Sequence, residues 1–352
     1  MKITRTKAYA ESLSLKRPYT IAYKTVSEVT LVFFEIHTDT KRGIGAANPS
    51  AFVVGESSDQ VLEALKEETS FLIGKDCRQL PALLRQAEQE FSQRPGTLAA
   101  LDIALHDLFG QVMDLSIVDY LGSYHQSLPT SITIGIKSLK ATLEEAREYL
   151  DAGFKCLKVK LGHSVDEDLE RLHRLRESYG YGINIRVDAN QGYTYEDVMY
   201  FHEETEALRI ELVEQPLPAR ALVELRQLPG ELRDYLAADE SLVTPEDAFR
   251  LACSPRACGI FNLKLMKSGG IARAMRMAEI ARLGNIDLMW GCNDESAVSI
   301  TAALHAAFAN PNTRYLDLDG SFDLAYDLVK GGFDLRDGML SLRGGPGLGV
   351  EW

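Results

Sequence analysis

The sequence predicts an α/β protein in which an eight-stranded (β/α) barrel follows an N-terminal α+β unit. From Leu128 onward, strand-like and helix-like segments alternate, with eight strands in about 190 residues. The ends of the second to seventh strands recur every 25–28 residues, about the length of one strand, one helix and two loops. Such a repeat predicts parallel strands that close into a barrel. A doubly wound sheet is the alternative, and it is disfavoured because its strand ends would not share one centre.

The N-terminal unit is predicted to form strands first and helices afterwards. Residues 29–36 are β-branched and aromatic, and residues 43–45 supply a glycine turn. Apolar residues fall at helical spacing over residues 98–108. Strands over residues 1–50 followed by helices over residues 57–125 therefore indicate a separate α+β unit.

The barrel strands are short apolar runs separated by helical patterns. In chain order they are predicted at residues 131–135, 156–160, 183–187, 210–213, 235–238, 259–263, 286–290 and 314–317. Between them, apolar residues at helical spacing over 165–175 mark one helix face. Thr244 followed by Pro245 predicts a helix start, since Thr caps helices and Pro favours the first position.

Charged residues end five successive predicted strands. In chain order they are Lys158 and Lys160, Asp188, Glu214, Asp239 and Lys264, whereas residues 290–292 end the seventh strand without a charge. The carboxyl ends of parallel barrel strands meet at one rim, where barrels of this kind hold their chemistry. Three acids beside three lysines at that rim are therefore the main functional signal.

The three acids predict a metal site. Three carboxylates crowded at one rim repel each other, and a divalent cation removes that conflict. Oxygen ligands suit Mg²⁺, and the absence of His or Cys at these strand ends argues against zinc. A single acid would more often pair with a lysine or face solvent, but Asp188, Glu214 and Asp239 in succession favour the metal.

The lysines predict acid/base chemistry. Lys160 and Lys264 end the second and sixth strands, on opposite sides of the proposed metal. Two bases that face each other across a carbon can remove a proton from one side and return one to the other, which racemisation or epimerisation requires. Lys158 points the same way as Lys160 along the strand. It either takes part in the chemistry or neutralises the carboxylates.

Composition limits the partners. The 352 residues carry a net charge of −13, which disfavours nucleic acid and anionic membranes. No apolar run is long enough to span a bilayer, and the chain does not begin with an apolar signal segment. Five scattered cysteines favour a reducing cytoplasm. We therefore expect a cytoplasmic protein with a small-molecule substrate, and we also expect a homo-oligomer.

These strand ends resemble the enolase superfamily, and within it the muconate-lactonizing-enzyme subgroup. The matching segments are 100–107, 158–160, 188–190, 214–216, 239–241 and 262–270. The superfamily pairs a Lys or His base with Mg²⁺. The resemblance therefore implies one Mg²⁺ per subunit on Asp188, Glu214 and Asp239, with Lys160 and Lys264 as the acid/base groups. No His ends the seventh strand, which argues against the mandelate-racemase branch.

The resemblance also implies domain limits. It places an α+β capping domain at residues 1–125 and a modified TIM-type barrel at residues 126–325. A C-terminal segment at residues 326–352 would return to the capping domain.

Further residues refine the resemblance. Asp317 and Asp319 are similar to the Asp-x-Asp element of dipeptide epimerases, which implies a site for the substrate's ammonium group; an acidic turn is the plainer interpretation. Lys24 lies where relatives that act on Ala-Glu carry Arg, so it either binds a substrate carboxylate or is a surface lysine. Asn190 and Glu295 are expected to support the site, Glu295 beside Lys264. Residues 293 and 294 are polar where relatives are often apolar.

The implied activity is that of an isomerase, a Mg²⁺-dependent dipeptide epimerase that inverts the α-carbon of the C-terminal residue. L-Ala-D/L-Glu, a unit of cell-wall peptide, is the first expectation for the substrate. A cycloisomerase, an o-succinylbenzoate synthase or an N-acylamino-acid racemase of the same subgroup is the alternative, and none of these needs an ammonium site. A catalytically silent metal-binding scaffold is disfavoured because a scaffold needs no pair of opposed lysines.

Overall fold

The N-terminal unit opens with a three-stranded antiparallel sheet. The computed structural model describes residues 1–21, 24–49 and 51–352, and of residues 18–21, 24 and 25 it describes the backbone alone. The strands are β1 Arg5–Ile21, β2 Lys24–His37 and β3 Arg42–Ala47, paired in the order β1-β2-β3.

Five helices pack beside this sheet, with a 3₁₀ turn at Ser70–Leu72 between the second and third. They are α1 Ala51–Val54, α2 Ser58–Glu67, α3 Leu80–Glu90, α4 Pro95–Met113 and α5 Ile117–Leu121. Helix α4 is buried along most of its length and lies against β3. Gly45 makes this approach possible, because a Cβ atom there would lie 1.9 Å from the carbonyl oxygen of Ala100.

A short strand, β4 Ser127–Pro129, precedes the barrel. The barrel strands are β5 Ile132–Ile134, β6 Cys156–Lys160, β7 Asn184–Asp188, β8 Leu212–Glu214, β9 Leu236–Ala238, β10 Ile260–Leu263, β11 Asp287–Gly291 and β12 Thr313–Asp317. Each pairs in parallel with the next along the chain. A parallel bridge between Thr130 and Leu316 joins the two outer strands. The predicted (β/α) barrel class is confirmed.

Helices surround the barrel. They are α6 Leu139–Asp151, α7 Val165–Tyr179, α8 Tyr195–Thr205, α9 Leu222–Gln227, α10 Gly230–Asp234, α11 Pro245–Ala252, α12 Leu265–Ser268, α13 Ile271–Leu283 and α14 Ala297–Phe308, with a 3₁₀ turn at Glu206–Leu208. The helix start predicted at Thr244 is confirmed. Thr244 Oγ1 accepts the N–H of Asp247, and Asp247 accepts the N–H of Thr244.

The C-terminal residues form four short strands: β13 Lys330–Gly331, β14 Phe333–Arg336, β15 Met339–Leu342 and β16 Val350–Glu351. This segment contacts the N-terminal helices. The N–H of Leu348 donates to Asp107 Oδ1 at 2.9 Å, and the N–H of Ile117 donates to the carbonyl of Gly347 at 3.1 Å. The domain limits at residues 125/126 and 325/326 stay predictions.

One buried core runs through both halves of the chain, and a smaller cluster at the barrel centre comprises Leu212, Ala237, Ile260 and Met289. All five cysteines are unpaired. Among the described residues, no helix has both the length and the apolarity that crossing a bilayer demands.

Candidate active site

The barrel brings the predicted acids and lysines together at one rim. Lys160 of β6 is paired with Asp188 of β7, and Asp188 with Glu214 of β8, so these three lie at one level of the sheet. Asp239 directly follows β9, and Lys264 directly follows β10. All three carboxylates are buried. Strand register thus places the charged strand ends side by side.

Lys158 lies beneath the rim and binds three carboxylates. Its Nζ is 2.7 Å from Glu214, 2.8 Å from Asp317 and 3.3 Å from Asp188. Burial alone would lower the pKa of Lys158, but Asp317, Glu214 and Asp188 outweigh burial and raise the pKa well above its usual value. Lys158 is therefore a fixed positive charge under the acids.

Lys160 and Lys264 lie at opposite ends of the row of acids. Lys160 Nζ is 2.6 Å from Asp188, and Lys264 Nζ is 2.9 Å from Asp239, with Glu214 on the strand between the two acids. Burial would lower the pKa of Lys264, but Asp239 and Glu214 raise it above its usual value. The two ammonium groups thus flank the carboxylates.

The acids do not share their charge evenly. Burial would raise the pKa of Asp188, but Lys160 and its second lysine neighbour lower it to about 2. Asp239 behaves likewise, with Lys264 the largest factor opposing burial, and its pKa falls well below its usual value. Burial, aided by Asp188, raises the pKa of Glu214 to about 7. Glu214 is therefore the acid whose charge is least compensated.

The donor set fits a hard divalent cation. Glu214 Oε1 accepts a hydrogen bond from Asn262 Nδ2 at 2.6 Å. Glu214 Oε2 is buried and lies 2.7 Å from Lys158 Nζ, yet it accepts no hydrogen bond from any residue that the structure describes. In residues 1–21, 24–49 and 51–352, no three acid, imidazole or thiol groups are already gathered at metal-binding distances. Lysines pair with the acids instead, so binding a cation requires these side chains to shift.

Four further residues around the acids were not predicted as site residues. Lys267 Nζ donates to the carbonyl of Asp239 at 2.6 Å and also contacts its carboxylate. Gln215 Oε1 accepts the N–H of Asp239 at 3.0 Å, and Glu240 is a half-buried acid whose buried Oε2 has no hydrogen-bond partner among the described residues. Asn262 shares strand parity with Lys264, and that alternation was the available signal.

Asp317 and Asp319 lie close together but differ in their partners. Both oxygens of Asp317 are bonded, Oδ1 by Ser131 at 2.6 Å and Oδ2 by Lys158 at 2.8 Å. Asp319 Oδ2 accepts the N–H of Thr133 at 2.8 Å, whereas the one contact of its Oδ1 with a described residue is a long one, 3.9 Å to a thiol. Burial and the neighbouring Asp317 raise the pKa of Asp319 to about 7.

Asn190, Glu295 and Lys24 are the remaining predicted residues. The N–H of Asn190 donates to Asp188 Oδ1 at 2.9 Å. Glu295 accepts the N–H of Asn293 at 2.8 Å, and within the described part of the chain it forms no ion pair with Lys264. Burial raises the pKa of Glu295 to about 7. The side chain of Lys24 lies outside the described residues.

Comparison with known families covers nearly the whole chain. Residues 3–122 match the mandelate racemase / muconate lactonizing enzyme N-terminal domain. Residues 141–352 match the family described as Enolase C-terminal domain-like.

Three known proteins illustrate the similarity. An L-Lys-D/L-Arg epimerase of Methylococcus capsulatus is 50% identical over 100% of this chain and 99% of its own. An L-Ala-D/L-Glu epimerase of Clostridium acetobutylicum is 35% identical over 97% of this chain and 96% of its own. The crystal structure of a dipeptide epimerase from Methylococcus capsulatus, complexed with Mg and the dipeptide L-Arg-D-Lys, covers 100% of both chains at 49% identity with a TM-score of 0.98.

Proposed function

Because this chain belongs to the enolase superfamily, in its mandelate racemase / muconate lactonizing enzyme group, we propose that it is a Mg²⁺-dependent dipeptide epimerase. It inverts the α-carbon of the C-terminal residue of its substrate. The observation that carries the proposal is the placement of Lys160 and Lys264 at opposite ends of the acid row, in contact with Asp188 and Asp239. The names of the similar epimerases support it.

Asp188, Glu214 and Asp239 would hold the magnesium ion, one per subunit. Bound there, the ion would neutralise negative charge that develops on the substrate carboxylate when the α-proton leaves. Lys158 adds a permanent positive charge beneath the same acids. From this one position Lys158 can both neutralise the carboxylates and stabilise negative charge that develops on the substrate.

The two flanking lysines move the protons. The neutral amine of one lysine takes the α-proton from one face, and the ammonium of the other delivers a proton to the opposite face. The reverse reaction exchanges their roles. Asp188 and Asp239 lie 2.6 and 2.9 Å from these lysines and stabilise their ammonium forms. A metal ion held by the same carboxylates would weaken that stabilisation and lower the lysine pKa, which favours a neutral amine on one side.

The ammonium end of the substrate is assigned to Asp317 and Asp319. Asp319 is the better placed because, among the described residues, its Oδ1 meets no partner closer than the thiol at 3.9 Å. Burial and Asp317 raise the pKa of Asp319 to about 7, and a substrate ammonium would counteract that shift. Asp317 is already bonded by Lys158 and Ser131, so it contributes mainly by fixing Lys158.

We propose dipeptides with cationic side chains as the preferred substrates. The relative that is 50% identical is named for L-Lys-D/L-Arg, whereas the relative named for L-Ala-D/L-Glu is 35% identical. The polar loop after β11 is tied to the N-terminal unit through Asn48. Asn48 Nδ2 donates to the carbonyl of Asp294 at 2.6 Å. L-Ala-D/L-Glu is the second candidate.

A panel of dipeptides in D₂O with Mg²⁺ tests the proposal by NMR of the α-proton. We expect deuterium at the C-terminal α-carbon and epimer formation, faster for L-Lys-L-Arg than for L-Ala-L-Glu, and loss of both with excess EDTA. If no dipeptide exchanges its α-proton, the proposal is rejected. Faster exchange of L-Ala-L-Glu would overturn the cationic preference alone.

Replacing Asp319 with Asn separates the epimerase from the other reactions of this subgroup. An ammonium ligand is needed only by the dipeptide epimerase, so Asp319→Asn should raise KM for dipeptides. If the variant keeps dipeptide kinetics unchanged, the ammonium site lies elsewhere and an N-acylated or ammonium-free substrate becomes the better candidate.

A further inference from the structure

After each of the two flanking lysines, a buried aspartate accepts hydrogen bonds from backbone amides of the segment that follows. Lys160 precedes the turn at Gly162, which Asp168 anchors. Lys264 precedes α12, and the start of the next helix is anchored by Asp102. Among the described residues, neither Asp168 nor Asp102 is hydrogen-bonded to a flanking lysine or to any acid of the row.

Asp168 lies in the first turn of α7 and joins two barrel loops. Its Oδ2 accepts the N–H of Gly162 at 2.8 Å and the hydroxyl of Tyr193 at 2.9 Å, and its Oδ1 accepts Arg171 at 2.7 Å. Gly162 has φ +104°, and a Cβ atom there would lie 2.2 Å from the carbonyl oxygen of Ala189. The turn after Lys160 is therefore clamped between Asp168 and the loop that follows β7.

Asp102 lies on α4 in the N-terminal unit and caps a barrel helix. Its Oδ1 accepts the N–H of Ile271 at 2.7 Å, and its Oδ2 accepts the N–H of Ala272 at 3.2 Å, so it satisfies the first amides of α13. His106 Nδ1 lies 3.1 Å from Oδ1. Gly270 has φ +101°, and a Cβ atom there would lie 2.5 Å from that of Asp102.

The cap on α13 reaches Lys264 through one turn of helix. Ser268, at the end of α12, donates its N–H to the carbonyl of Lys264 at 3.0 Å and its hydroxyl to the same oxygen at 3.1 Å. Gly269 and Gly270 both donate to Leu265. A shift at the start of α13 is therefore transmitted to the backbone of Lys264 with little slack.

The two anchors are independent of each other. Among the described residues, the hydrogen-bond partners of Asp168 are in the loops after β6 and β7 and in α7, whereas those of Asp102 are in α4 and α13. The two sets share no residue. Loss of one anchor should therefore displace one lysine and leave the other in place.

We propose that Asp168 and Asp102 are positioning residues that hold Lys160 and Lys264, respectively, so that each base is set separately. The inference rests on the proposed two-base function. In each turnover the Cα–H bond breaks, its electron pair stays on the substrate, and the proton passes to one amine. The opposite ammonium supplies the proton for the new Cα–H bond. A misplaced lysine therefore impairs both the removal of the α-proton from its own face of the α-carbon and the delivery of a proton to that face.

Isotope exchange from each epimer in D₂O distinguishes the two lysines. L-Lys-L-Arg and L-Lys-D-Arg are offered separately to the full-length enzyme with Mg²⁺, and deuterium is followed in unconverted substrate and in product. Lys160→Ala and Lys264→Ala first establish which epimer each lysine deprotonates. If the wild type exchanges no dipeptide, the proposed function fails, which is a different result from failure of the anchors.

Asp168→Asn and Asp102→Asn then test the anchors. Because a 1 Å misplacement costs about 100-fold in rate, we expect exchange of one epimer to fall about 10- to 100-fold while the other exchanges in place at nearly the wild-type rate. Asp168→Asn should match the pattern of Lys160→Ala, and Asp102→Asn that of Lys264→Ala. Equal slowing of both epimers by each variant would overturn the proposal.

Asp107→Asn is the matched control. Asp107 is also buried on α4 and also accepts two backbone amides, from Ile44 and Leu348 at 2.9 Å each, but neither amide belongs to a segment that follows a flanking lysine. It should slow both epimers equally or not at all.

If an Asn variant does not fold, as judged by circular dichroism, Tyr193→Phe and His106→Gln each remove one contact of an anchor. Each should slow exchange of the same epimer as the corresponding Asn variant, but by a smaller factor. If both variants slow the two epimers equally, the proposal is rejected.

Discussion

Lys158 is the residue on which the charge balance of the rim depends most. Its ammonium is buried among Asp188, Glu214 and Asp317, at 3.3, 2.7 and 2.8 Å. Removing one partner from a buried group of charges leaves the remaining charges buried and uncompensated, which is strongly destabilising.

Lys158→Met is therefore expected to lower the free energy of unfolding by about 3–5 kcal/mol and to abolish epimerisation. Urea denaturation in the absence of Mg²⁺ measures the first effect. Lys155→Met, at an exposed position of the same segment, should change stability by less than about 0.5 kcal/mol. Equal stability of the two variants would show that Lys158 does not compensate the acids.

His305 provides a second test at the residue scale, away from the rim. Its Nδ1 accepts the N–H of Val118 at 3.0 Å, so its Nε2 donates to the carbonyl of Leu348 at 3.3 Å. Burial lowers the pKa of His305 to about 4. In the unfolded chain the imidazole becomes protonated below about pH 6.5, whereas in the folded protein it stays neutral. The protein is therefore at full stability above about pH 6.5 and loses stability as pH falls below it.

Between pH 7 and pH 5 the wild type should accordingly lose about 2 kcal/mol of stability that His305→Gln does not lose. The loss continues as pH falls towards about 4, the pKa in the folded state. Urea denaturation of both proteins at several pH values measures the difference. Parallel pH profiles would contradict a neutral, buried His305.

At this scale the sequence was informative where a charge ended a strand. Asp188, Glu214 and Asp239 could be found because spacing alone put them on successive strands. Lys267 and Gln215 could not be found in this way, since their roles depend on side chains that reach back to Asp239 from a helix and a loop.

At the scale of elements, close backbone approach fixes how the N-terminal sheet meets its longest helix. Gly45 of β3 faces Ala100 of α4, with no room for a side chain. A Cβ atom at residue 45 would clash with a backbone carbonyl in the middle of a buried helix, and neither β3 nor α4 can move aside easily.

Gly45→Ala should destabilise the protein by about 3 kcal/mol, since overpacking forces β3 and α4 apart. Gly182→Ala is the control: a Cβ atom there meets no heavy atom of the described residues within 4 Å, and its effect should stay within about 0.5 kcal/mol. The free energy of unfolding in urea measures both. If Gly45→Ala is as mild as the control, the β3–α4 contact is looser than described.

The elements themselves were largely predictable. The strand from 156 to 160 coincides with β6, and the others differ from prediction by one or two residues at their ends. The short strands of the C-terminal segment were not predicted, because they are two to four residues long and are defined by distant partners such as β4. The barrel strands β5, β8 and β9 are equally short, but the repeated strand–helix spacing reveals them.

At the scale of the whole molecule, contacts distant in sequence connect the N-terminal unit with the barrel. The carboxylate of Asp102 binds the N–H of Ile271, 169 positions later. The sequence gives no sign of this pairing, because an aspartate within an apolar helix has no local pattern that names its partner. The (β/α) repeat, by contrast, is a local pattern, and the barrel followed from it.

The most direct measurement of the central claim is α-proton exchange in D₂O by Lys160→Ala and by Lys264→Ala, each given the two dipeptide epimers separately. With one base on each side of the carbon, each variant should exchange one epimer only, a different one for each variant, and neither should interconvert them. If both variants lose exchange of the same epimer, or if both still interconvert the epimers, one carbon is not held between two opposed lysines.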